Sequence, residues 1–361
     1  MILFYLKKDI RYIESYQNLN VQVFNLAKKT RRICVVDTVY TLLLYYLIGG
    51  MDEDDIFIMS GGIPKEIRKN IKHIYFPHFR YGDLPDSNLI LIMLKRLQII
   101  IKRVYGIVKL RVMLFFKTRN CNVEVYGQGH LHFSFPLYEY ENSYIIEDGL
   151  GNYMDLTEPD YSQSRLLRFL GFYTKEYYEG FGTHKNIKKV YLTKNNVPEI
   201  IKNKTKIINI NEKWFELVKT SQKKILSKFN ISPNEFEFKE ETVLILTEPF
   251  YEDGLETLEN ELNIYEEFIK KFHGYQICIK PHPRDKKNYN KLYPNTTILD
   301  KYFPIELLSF IGIKPKIVCS TITTAVLSFE KSEIYIYSGK LENDELNNAR
   351  QKLLKMINNK K

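Results

Sequence analysis

Short apolar runs that alternate with helical stretches are the feature that most restricts the fold of this chain. Runs of about four to six apolar residues are typical of strands buried on both faces of a parallel sheet. The alternation occurs between residues 32 and 210 and starts again at residue 242. It predicts two successive α/β units, each with a parallel sheet and helices on both of its faces.

The length of the chain agrees with two units. Its 361 residues exceed the size at which a single hydrophobic core usually stops growing. We expect an N-terminal domain over residues 1–210 and a C-terminal domain over residues 211–361. The predicted strands are residues 33–36, 55–59, 72–76, 122–126, 143–146, 188–192 and 206–210, then 242–246, 275–279, 316–319 and 334–337. The main predicted helices are residues 38–47, 212–229, 255–272, 325–330 and 341–357.

The net charge of +10 and the pI of about 9.1 favour an anionic partner. The basic residues are spread along the chain, with neither zinc-finger spacing nor an aromatic RNA-binding signature, so we expect no nucleic acid partner. The remaining candidates for the anionic partner are an anionic substrate and an anionic membrane surface. Residues 89–117 carry seven basic residues among apolar ones. This stretch predicts either a helix pair with its lysines in solvent or a helix on an anionic membrane.

The cysteines and the apolar stretches indicate a cytoplasmic protein. None of the four cysteines has CxxC spacing, which argues against a metal knuckle and a redox motif and fits a reducing compartment. We expect no signal peptide, and the uncharged stretch 38–51 is too short to span a bilayer. Peripheral contact with the inner face of the cell membrane and formation of a homodimer both stay open.

A histidine fixed between two prolines follows one predicted strand of the second unit. Pro281 and Pro283 restrict the backbone on both sides of His282, and Lys280 and Arg284 flank the three residues. Ligands of open α/β sheets bind at the carboxyl ends of strands. A rigid imidazole between two cations suits a phosphate, although an ordinary structural turn would give the same sequence.

Two acidic pairs, each followed by a glycine, also follow predicted strands. Glu147 and Asp148 precede Gly149 in the first unit, and Glu252 and Asp253 precede a glycine in the second. A carboxylate at the mouth of a sheet can act as a general base. Both pairs have a simpler interpretation, as an acidic turn in the first case and as helix caps in the second.

A run of small hydroxyl residues follows a later strand of the second unit. Ser320, Thr321, Thr323 and Thr324 precede a predicted helix. Hydroxyls beside the free N–H groups of a helix start form a phosphate site, or they simply cap the helix. The chain has no P-loop lysine motif and no Gly-x-Ser-x-Gly elbow. His130 and the histidine two residues later have no other ligands nearby in the sequence, so we expect neither a metal nor a cofactor.

These motifs together resemble the bacterial lipooligosaccharide and capsule sialyltransferases of glycosyltransferase family 52. The similar features are the Ile-Glu-Asp-Gly sequence at residues 146–149, the Lys-Pro-His-Pro-Arg sequence at 280–284, the hydroxyl run from Ser320, and Gly-Thr-His at 182–184 before the strand at 189–193. The resemblance extends from about residue 32 to about residue 337. At the first strand exit, residues 36–40 depart from the Thr-Pro-Leu type of turn found in that family, which leaves the acceptor open.

The resemblance implies a GT-B fold, in which two Rossmann-like domains face a central cleft. It also implies a CMP-sialic acid donor, a glycan or glycolipid acceptor that ends in galactose, and inverting transfer without a metal. His282 would then protonate the departing phosphate or hold its charge. Asp148, Glu147 or Asp253 would be the base. The donor would be bound by Lys280, Pro283, Arg284, Ser320, Thr321 and Thr323.

Two other functions are consistent with the same residues. A glycosyltransferase with another nucleotide-sugar donor could use the same scaffold, since a fold does not determine a function. A non-catalytic basic protein at a membrane surface could use residues 89–117. Binding of CMP, measured as a rise in melting temperature, separates the first function from the other two.

Overall fold

The computed structural model describes residues 29–50, 53–77, 89–134, 137, 142–153, 156, 180–232, 238–329 and 331–358. Its strands are β1 (Thr30–Val36), β2 (Ile56–Met59), β3 (His73–Tyr75), β4 (Asn122–Gly127), β5 (Asn142–Ile146), β6 (Ile187–Leu192), β7 (Thr205–Ile207), β8 (Thr242–Leu246), β9 (Gln276–Lys280), β10 (Thr297–Ile298), β11 (Ile317–Ser320) and β12 (Glu333–Ile336). Its α-helices are α1 (Val39–Leu47), α2 (Lys65–Arg68), α3 (Leu89–Thr118), α4 (Ile210–Glu216), α5 (Lys219–Lys228), α6 (Leu258–Lys271), α7 (Tyr289–Leu292), α8 (Glu306–Phe310) and α9 (Asp344–Asn358).

The strands form two parallel sheets that follow one another along the chain. The first has the order β3-β2-β1-β4-β5-β6-β7, and the second has the order β10-β9-β8-β11-β12. All of the pairings are parallel. The strand order reverses between β1 and β4 in the first sheet and between β8 and β11 in the second. Ligands of such sheets bind at the carboxyl ends of the strands beside this reversal.

Helices cover both faces of the first sheet, and the buried apolar half of β1 packs against both of them. Cys34 and Val36 of β1 face the core that contains α1, while Ile33 and Val35 face the core that contains α3. Successive side chains of a strand point to opposite faces, so one continuous apolar run supplies both cores. The two α/β units predicted from the alternation are confirmed.

Several predicted elements differ from the structure in extent. The predicted helix pair at 89–117 is the single helix α3. The predicted helix at 212–229 is divided into α4 and α5, because the backbone of Leu217 is extended. Residues 324–328 form a 3-10 turn where a helix at 325–330 was predicted. Helix α6 begins at Leu258 with Thr257 as its N-cap, so neither member of the acidic pair before it serves as the cap.

The helices between the two sheets contact both units. Lys228 at the end of α5 donates to the Asn70 carbonyl at 2.6 Å, and Phe229 packs edge-on against Tyr46 of α1. Trp214 of α4 stacks on Phe310 of α8 with ring centroids 5.0 Å apart. The predicted domain boundary at residue 210 lies between the two sheets, yet α5 packs against the first.

Among the described residues, no helix is both long enough and apolar enough to cross a membrane. The four cysteines are free thiols, and those at positions 34, 278 and 319 are buried in strands.

Candidate active site

Three neighbouring strand ends of the first sheet converge on Asp148. The Thr38 hydroxyl, which follows β1, donates to Asp148 Oδ1 at 3.0 Å. Nε2 of His130, which follows β4, lies 3.2 Å from Asp148 Oδ2. Asp148 itself follows β5, and its backbone N–H donates to the Asn152 side chain at 2.7 Å. Both carboxylate oxygens are therefore oriented, while the side chain stays 17% exposed.

Glu147 lies in the interior, on the other side of the same turn. Its Oε2 accepts from the Tyr153 hydroxyl at 2.6 Å, from the Thr193 N–H at 2.6 Å and from the Thr193 hydroxyl at 2.7 Å. Burial raises the pKa of Glu147 against the effect of these hydrogen bonds. The next residue but one, Gly149, has φ of +77°, a conformation that costs glycine little. The turn therefore buries Glu147 and leaves Asp148 partly accessible.

His130 is a site residue that the sequence alone did not identify. Its ring stacks on Phe181, with centroids 4.5 Å apart and planes 12° apart. The stacking and the contact with Asp148 fix the orientation of the imidazole. The sequence pattern around His130 bears only on a metal site. Its place beside Asp148 depends on the strand order β1-β4-β5, which brings three separate strand ends together.

His282 is held by one hydrogen bond to its ring and one from its backbone. Its Nδ1 accepts the Arg284 N–H at 3.2 Å, which leaves Nε2 to carry the proton of the neutral imidazole. Its own N–H donates to the Thr247 hydroxyl, beyond β8, at 3.0 Å. Burial, followed by the charges of Arg284 and Lys280, lowers the pKa of His282 to about 4. The imidazole is therefore neutral at pH 7 in the free protein, and its Nε2–H is a neutral hydrogen-bond donor.

Ion pairs tie the His282 loop to the second acidic pair. Arg284 Nη1 lies 2.5 Å from Asp253 Oδ1, and Lys287 Nζ lies 2.8 Å from both Glu252 and Glu261. The Lys287 side chain is 8% exposed, so its contacts are shielded from water. The loop that carries His282 is thus fixed to the loop that follows β8.

The hydroxyl run beyond β11 surrounds a carboxylate of the protein itself. Glu248 Oε1 accepts from the Ser320 hydroxyl at 2.7 Å and from the backbone N–H groups of Ile322 and Thr323 at 3.0 Å each. Burial raises the pKa of Glu248 to about 7. Thr323 Oγ1 accepts from the Ala325 N–H at 3.4 Å, as the cap of the 3-10 turn. The backbone amides predicted to bind a donor phosphate are therefore engaged by Glu248.

Lys280 and Glu306 mark where the two units face each other. Lys280 is 6% exposed, its Nζ lies 4.7 Å from the centre of the Phe303 ring, and burial lowers its pKa to about 7. The pKa of Glu306 is raised to about 7, chiefly by burial and in part by the charge of Glu147 in the first unit. Glu306 in turn contributes to the raised pKa of Tyr40. The carboxyl ends of the two sheets are therefore electrostatic neighbours.

Apart from Thr323, which caps the 3-10 turn, the predicted site residues fall into three groups. Asp148 and His282 are fixed at strand ends on different units, and each keeps some exposure. Glu147, Lys280, Ser320 and Thr321 are buried; the Thr321 hydroxyl has no hydrogen-bond partner. Arg284 and Asp253 form a partly exposed ion pair, and Pro283 lies beside it, half-buried. Among the described residues, no group of three or more His, Cys, Asp or Glu side chains is arranged to hold a metal ion.

Comparison with known proteins decides the family. Residues 95–344 match the sequence profile of glycosyltransferase family 52. The chain belongs to this family. An uncharacterised protein of Haemophilus influenzae is 31% identical over 219 residues, which make up 60% of this chain and 69% of that protein. The chain is therefore a glycosyltransferase, and the family predicted from the motifs is confirmed.

Solved structures of similar fold include bacterial sialyltransferases. The α/β-galactoside α-2,3-sialyltransferase of Photobacterium phosphoreum has a TM-score of 0.51 at 15% identity, over 91% of this chain and 96% of that one. A 2,6-sialyltransferase of a Photobacterium species, solved with the donor product CMP and the acceptor lactose, has a TM-score of 0.56 at 12% identity, over 91% of this chain and 76% of that one. These similarities confirm the GT-B fold.

Proposed function

We propose that this family 52 glycosyltransferase moves sialic acid from CMP-sialic acid to a galactose-ended glycan of a lipooligosaccharide or capsule, with inversion and without a metal. One observation carries the proposal: an oriented carboxylate, Asp148, and an oriented imidazole, His282, lie at strand ends of two facing units. Inverting transfer needs a base and a leaving-group stabiliser on opposite sides of the reacting carbon. The fold that the chain shares with sialyltransferases supports the choice of donor.

In the proposed reaction the acceptor hydroxyl attacks the anomeric carbon while Asp148 takes its proton. The bond from that carbon to the phosphate oxygen breaks, and its electron pair leaves with CMP. His282 donates a hydrogen bond from Nε2 to the departing phosphate. Asp148 is oriented for this role by Thr38 and His130. Because the transition state resembles an oxocarbenium ion, the placement of charge matters more than covalent assistance.

In this proposal the first unit, residues 1–210, binds the acceptor, and the second unit, residues 211–361, binds the donor. Arg284 and Pro283 lie on the His282 loop and would face the donor. The buried Lys280 would contribute positive potential to the donor site. Ser320, Thr321 and Thr323 would shape one wall of that site, where Ser320 and Thr323 donate hydrogen bonds to Glu248. A glycolipid acceptor places the enzyme at the inner face of the cell membrane in this proposal.

Asp253 is a second candidate for the base, because its ion pair with Arg284 places it near the His282 loop. Purified Asp148→Asn, Asp253→Asn and His282→Asn variants separate the roles. We expect kcat to fall by about a hundredfold or more in Asp148→Asn and His282→Asn, since general acid–base groups typically contribute that much. Asp253→Asn should mainly raise KM for the donor. An exposed control, Asp344→Asn, should change neither value.

The reaction itself is tested by incubation with CMP-sialic acid and a panel of galactosides, followed by mass analysis of the products. A parallel set of reactions contains UDP-sugars, and another contains EDTA. We expect a sialylated product that forms equally with EDTA present. If a product forms only with a UDP-sugar, the donor is that UDP-sugar and not CMP-sialic acid. If activity is lost only in Asp253→Asn, the base is Asp253 of the second unit.

A further inference from the structure

The two strands that flank the reversal in the first sheet end beside Asp148. Asp37 follows β1 directly and Gln128 follows β4 directly, and the order of the strands reverses between these two. The Asp37 N–H donates to Gln128 Oε1, so the two residues meet across the crevice. Open α/β sheets bind their ligands at such a reversal. Asp37 therefore lies where the topology of the sheet predicts a ligand.

The carboxylate of Asp37 is oriented by the loop that follows β2. The Gly62 N–H donates to Asp37 Oδ1 at 3.0 Å. A Cβ on Gly62 would overlap the carbonyl and carboxylate oxygens of Asp37, so the close approach of this loop requires glycine. Asp37 nevertheless stays partly exposed. It is therefore an oriented hydrogen-bond acceptor at the surface of the crevice.

Asp37 is also close to the proposed base. Thr38, its neighbour in the sequence, donates to Asp148 Oδ1 at 3.0 Å. Adjacent Cα atoms are about 3.8 Å apart, and one residue and one hydrogen bond separate the two carboxylates. A mono- or disaccharide can span such a distance. A sugar whose hydroxyl is deprotonated by Asp148 therefore brings further hydroxyl groups within reach of Asp37.

A buried amide side chain lies beside each of the two carboxylate residues. Gln128 Oε1 accepts from the Asp37 N–H, and Asn152 Oδ1 accepts from the Asp148 N–H at 2.7 Å. Both amide residues are 1% exposed, and in the described part of the chain Gln128 Nε2 and Asn152 Nδ2 have no hydrogen-bond partner. A buried donor without an acceptor is unfavourable. Hydroxyl groups both donate and accept, so a sugar complements a crevice that contains carboxylate acceptors and amide donors.

We propose that Asp37 binds a hydroxyl group of the terminal acceptor sugar while Asp148 deprotonates the attacking hydroxyl of the same acceptor. Asp37 then selects the acceptor, since a site that binds a substrate hydroxyl discriminates against the analogue that lacks it. This inference rests on the proposed function for the side from which the acceptor attacks, and it is independent of the identity of the donor.

Kinetics with monodeoxy analogues of methyl β-galactoside test this role. With the wild type, one analogue that retains the attacking hydroxyl should lose kcat/KM by about tenfold or more, because a hydrogen bond to a charged group contributes that much. Asp37→Asn should lose a similar factor with the parent galactoside, mainly through KM, and little more with that analogue, as expected for two groups in contact. If every such analogue reacts like the parent with the wild type, or if the two losses multiply, the inference is overturned.

Asparagine is the informative substitution because it keeps the size of the side chain and the oxygen that accepts from Gly62. Asp344→Asn, exposed at the start of α9, is the control and should match the wild type with every analogue and in melting temperature. A lowered melting temperature in Asp37→Asn, with equal losses for all analogues, would show a structural role. A loss of kcat of about a hundredfold at unchanged KM would make Asp37 the base itself. Either result overturns the inference.

Hydrolysis of CMP-sialic acid without an acceptor separates this inference from the proposed function. Water replaces the acceptor hydroxyl, the bond from the anomeric carbon to the phosphate oxygen breaks, and CMP leaves with the electron pair. The rate should be equal in Asp37→Asn and the wild type, because Asp37 contacts only the acceptor; a rate that falls together with transfer overturns the inference. A wild type that uses a UDP-sugar instead contradicts the proposed donor, and the comparison of Asp37→Asn with the wild type, made with that UDP-sugar, then decides this inference in the same way.

Discussion

Glu248 shows how a single buried carboxyl group can occupy amides that resemble a phosphate site. Its Oε1 accepts three hydrogen bonds from the loop beyond β11, while Oε2 is buried without a hydrogen-bond partner. The hydroxyls and backbone N–H groups were evident in the sequence, but their partner lies more than seventy residues earlier in the chain. A carboxyl group in such surroundings should make the stability of the protein depend on pH.

We expect Glu248→Gln to flatten the stability of the protein between about pH 5 and pH 8. The pKa of Glu248 is raised from 4.5 to about 7 by burial, so the folded state holds the proton more tightly than the unfolded state. The stabilisation is complete below the unfolded pKa and is lost as pH rises through about 7. The loss amounts to about 3 kcal/mol. Glutamine keeps the accepting oxygen and does not titrate.

Chemical denaturation at a series of pH values measures this difference. Glu240→Gln, at an exposed position, is the control and should follow the wild type. If the free energy of unfolding changes with pH in the same way in the wild type and in Glu248→Gln, the carboxyl group is not buried as described.

His282 should gain a proton when CMP binds. Its pKa of about 4 in the free protein results first from burial and then from Arg284 and Lys280. A bound phosphate dianion favours the imidazolium and raises this pKa, so binding should become tighter as pH falls toward 6. Titration calorimetry in two buffers of different ionisation enthalpy measures the uptake of protons. We expect His282→Asn to take up fewer protons than the wild type on binding CMP. His273→Asn, at an exposed position, should take up as many protons as the wild type.

At the scale of elements, both acidic turns depend on a glycine in the left-handed region. Gly149 has φ of +77° and Gly254 has φ of +70°, and a Cβ at either position would meet no atom within 4 Å. A side chain there is disfavoured by backbone strain alone, at about 1–2 kcal/mol. The backbone conformation therefore favours glycine after each acidic pair. The effect of replacing this glycine on activity can be measured separately from its effect on stability.

We expect Gly149→Ala to lower kcat much more than its loss of stability accounts for, because the strained turn carries Asp148. Gly274→Ala is the matched control: its φ is +94° and its surroundings are equally open, but it lies between α6 and β9, remote from Asp148. Both variants should lose about 1–2 kcal/mol of stability, measured by urea unfolding, while only Gly149→Ala loses turnover. Equal kcat values in the two variants would argue against Asp148 as the base.

At the scale of the whole molecule, local patterns predicted the elements and missed the contacts between distant ones. The apolar runs located the strands because burial on both faces requires them to be apolar. His130 was missed because its meeting with Asp148 depends on β4 lying between β1 and β5. The engagement of Glu248 by the Ser320 loop depends on β8 lying beside β11. The short helix α8 was missed because five residues give too little periodicity.

The two units share one apolar core, and this should make them unfold together. That core contains Leu44 and Met59 of the first unit and Leu244 and Val318 of the second. Trp214, the single tryptophan, is 2% exposed and lies in the same core. Its fluorescence therefore reports on the junction between the units, while circular dichroism reports on all helices and strands.

We expect the two signals to give the same urea midpoint in the wild type, as a single cooperative transition requires. Phe310→Ala removes the ring that stacks on Trp214 and leaves a cavity in the shared core, so stability should fall by about 3–5 kcal/mol and the tryptophan emission should shift to the red. Phe215→Ala is the matched control, since that ring is 68% exposed, and its midpoint should stay close to the wild type. Two separate midpoints in the wild type would show that each unit unfolds alone, and the stack between Trp214 and Phe310 would then contribute little to holding the units together.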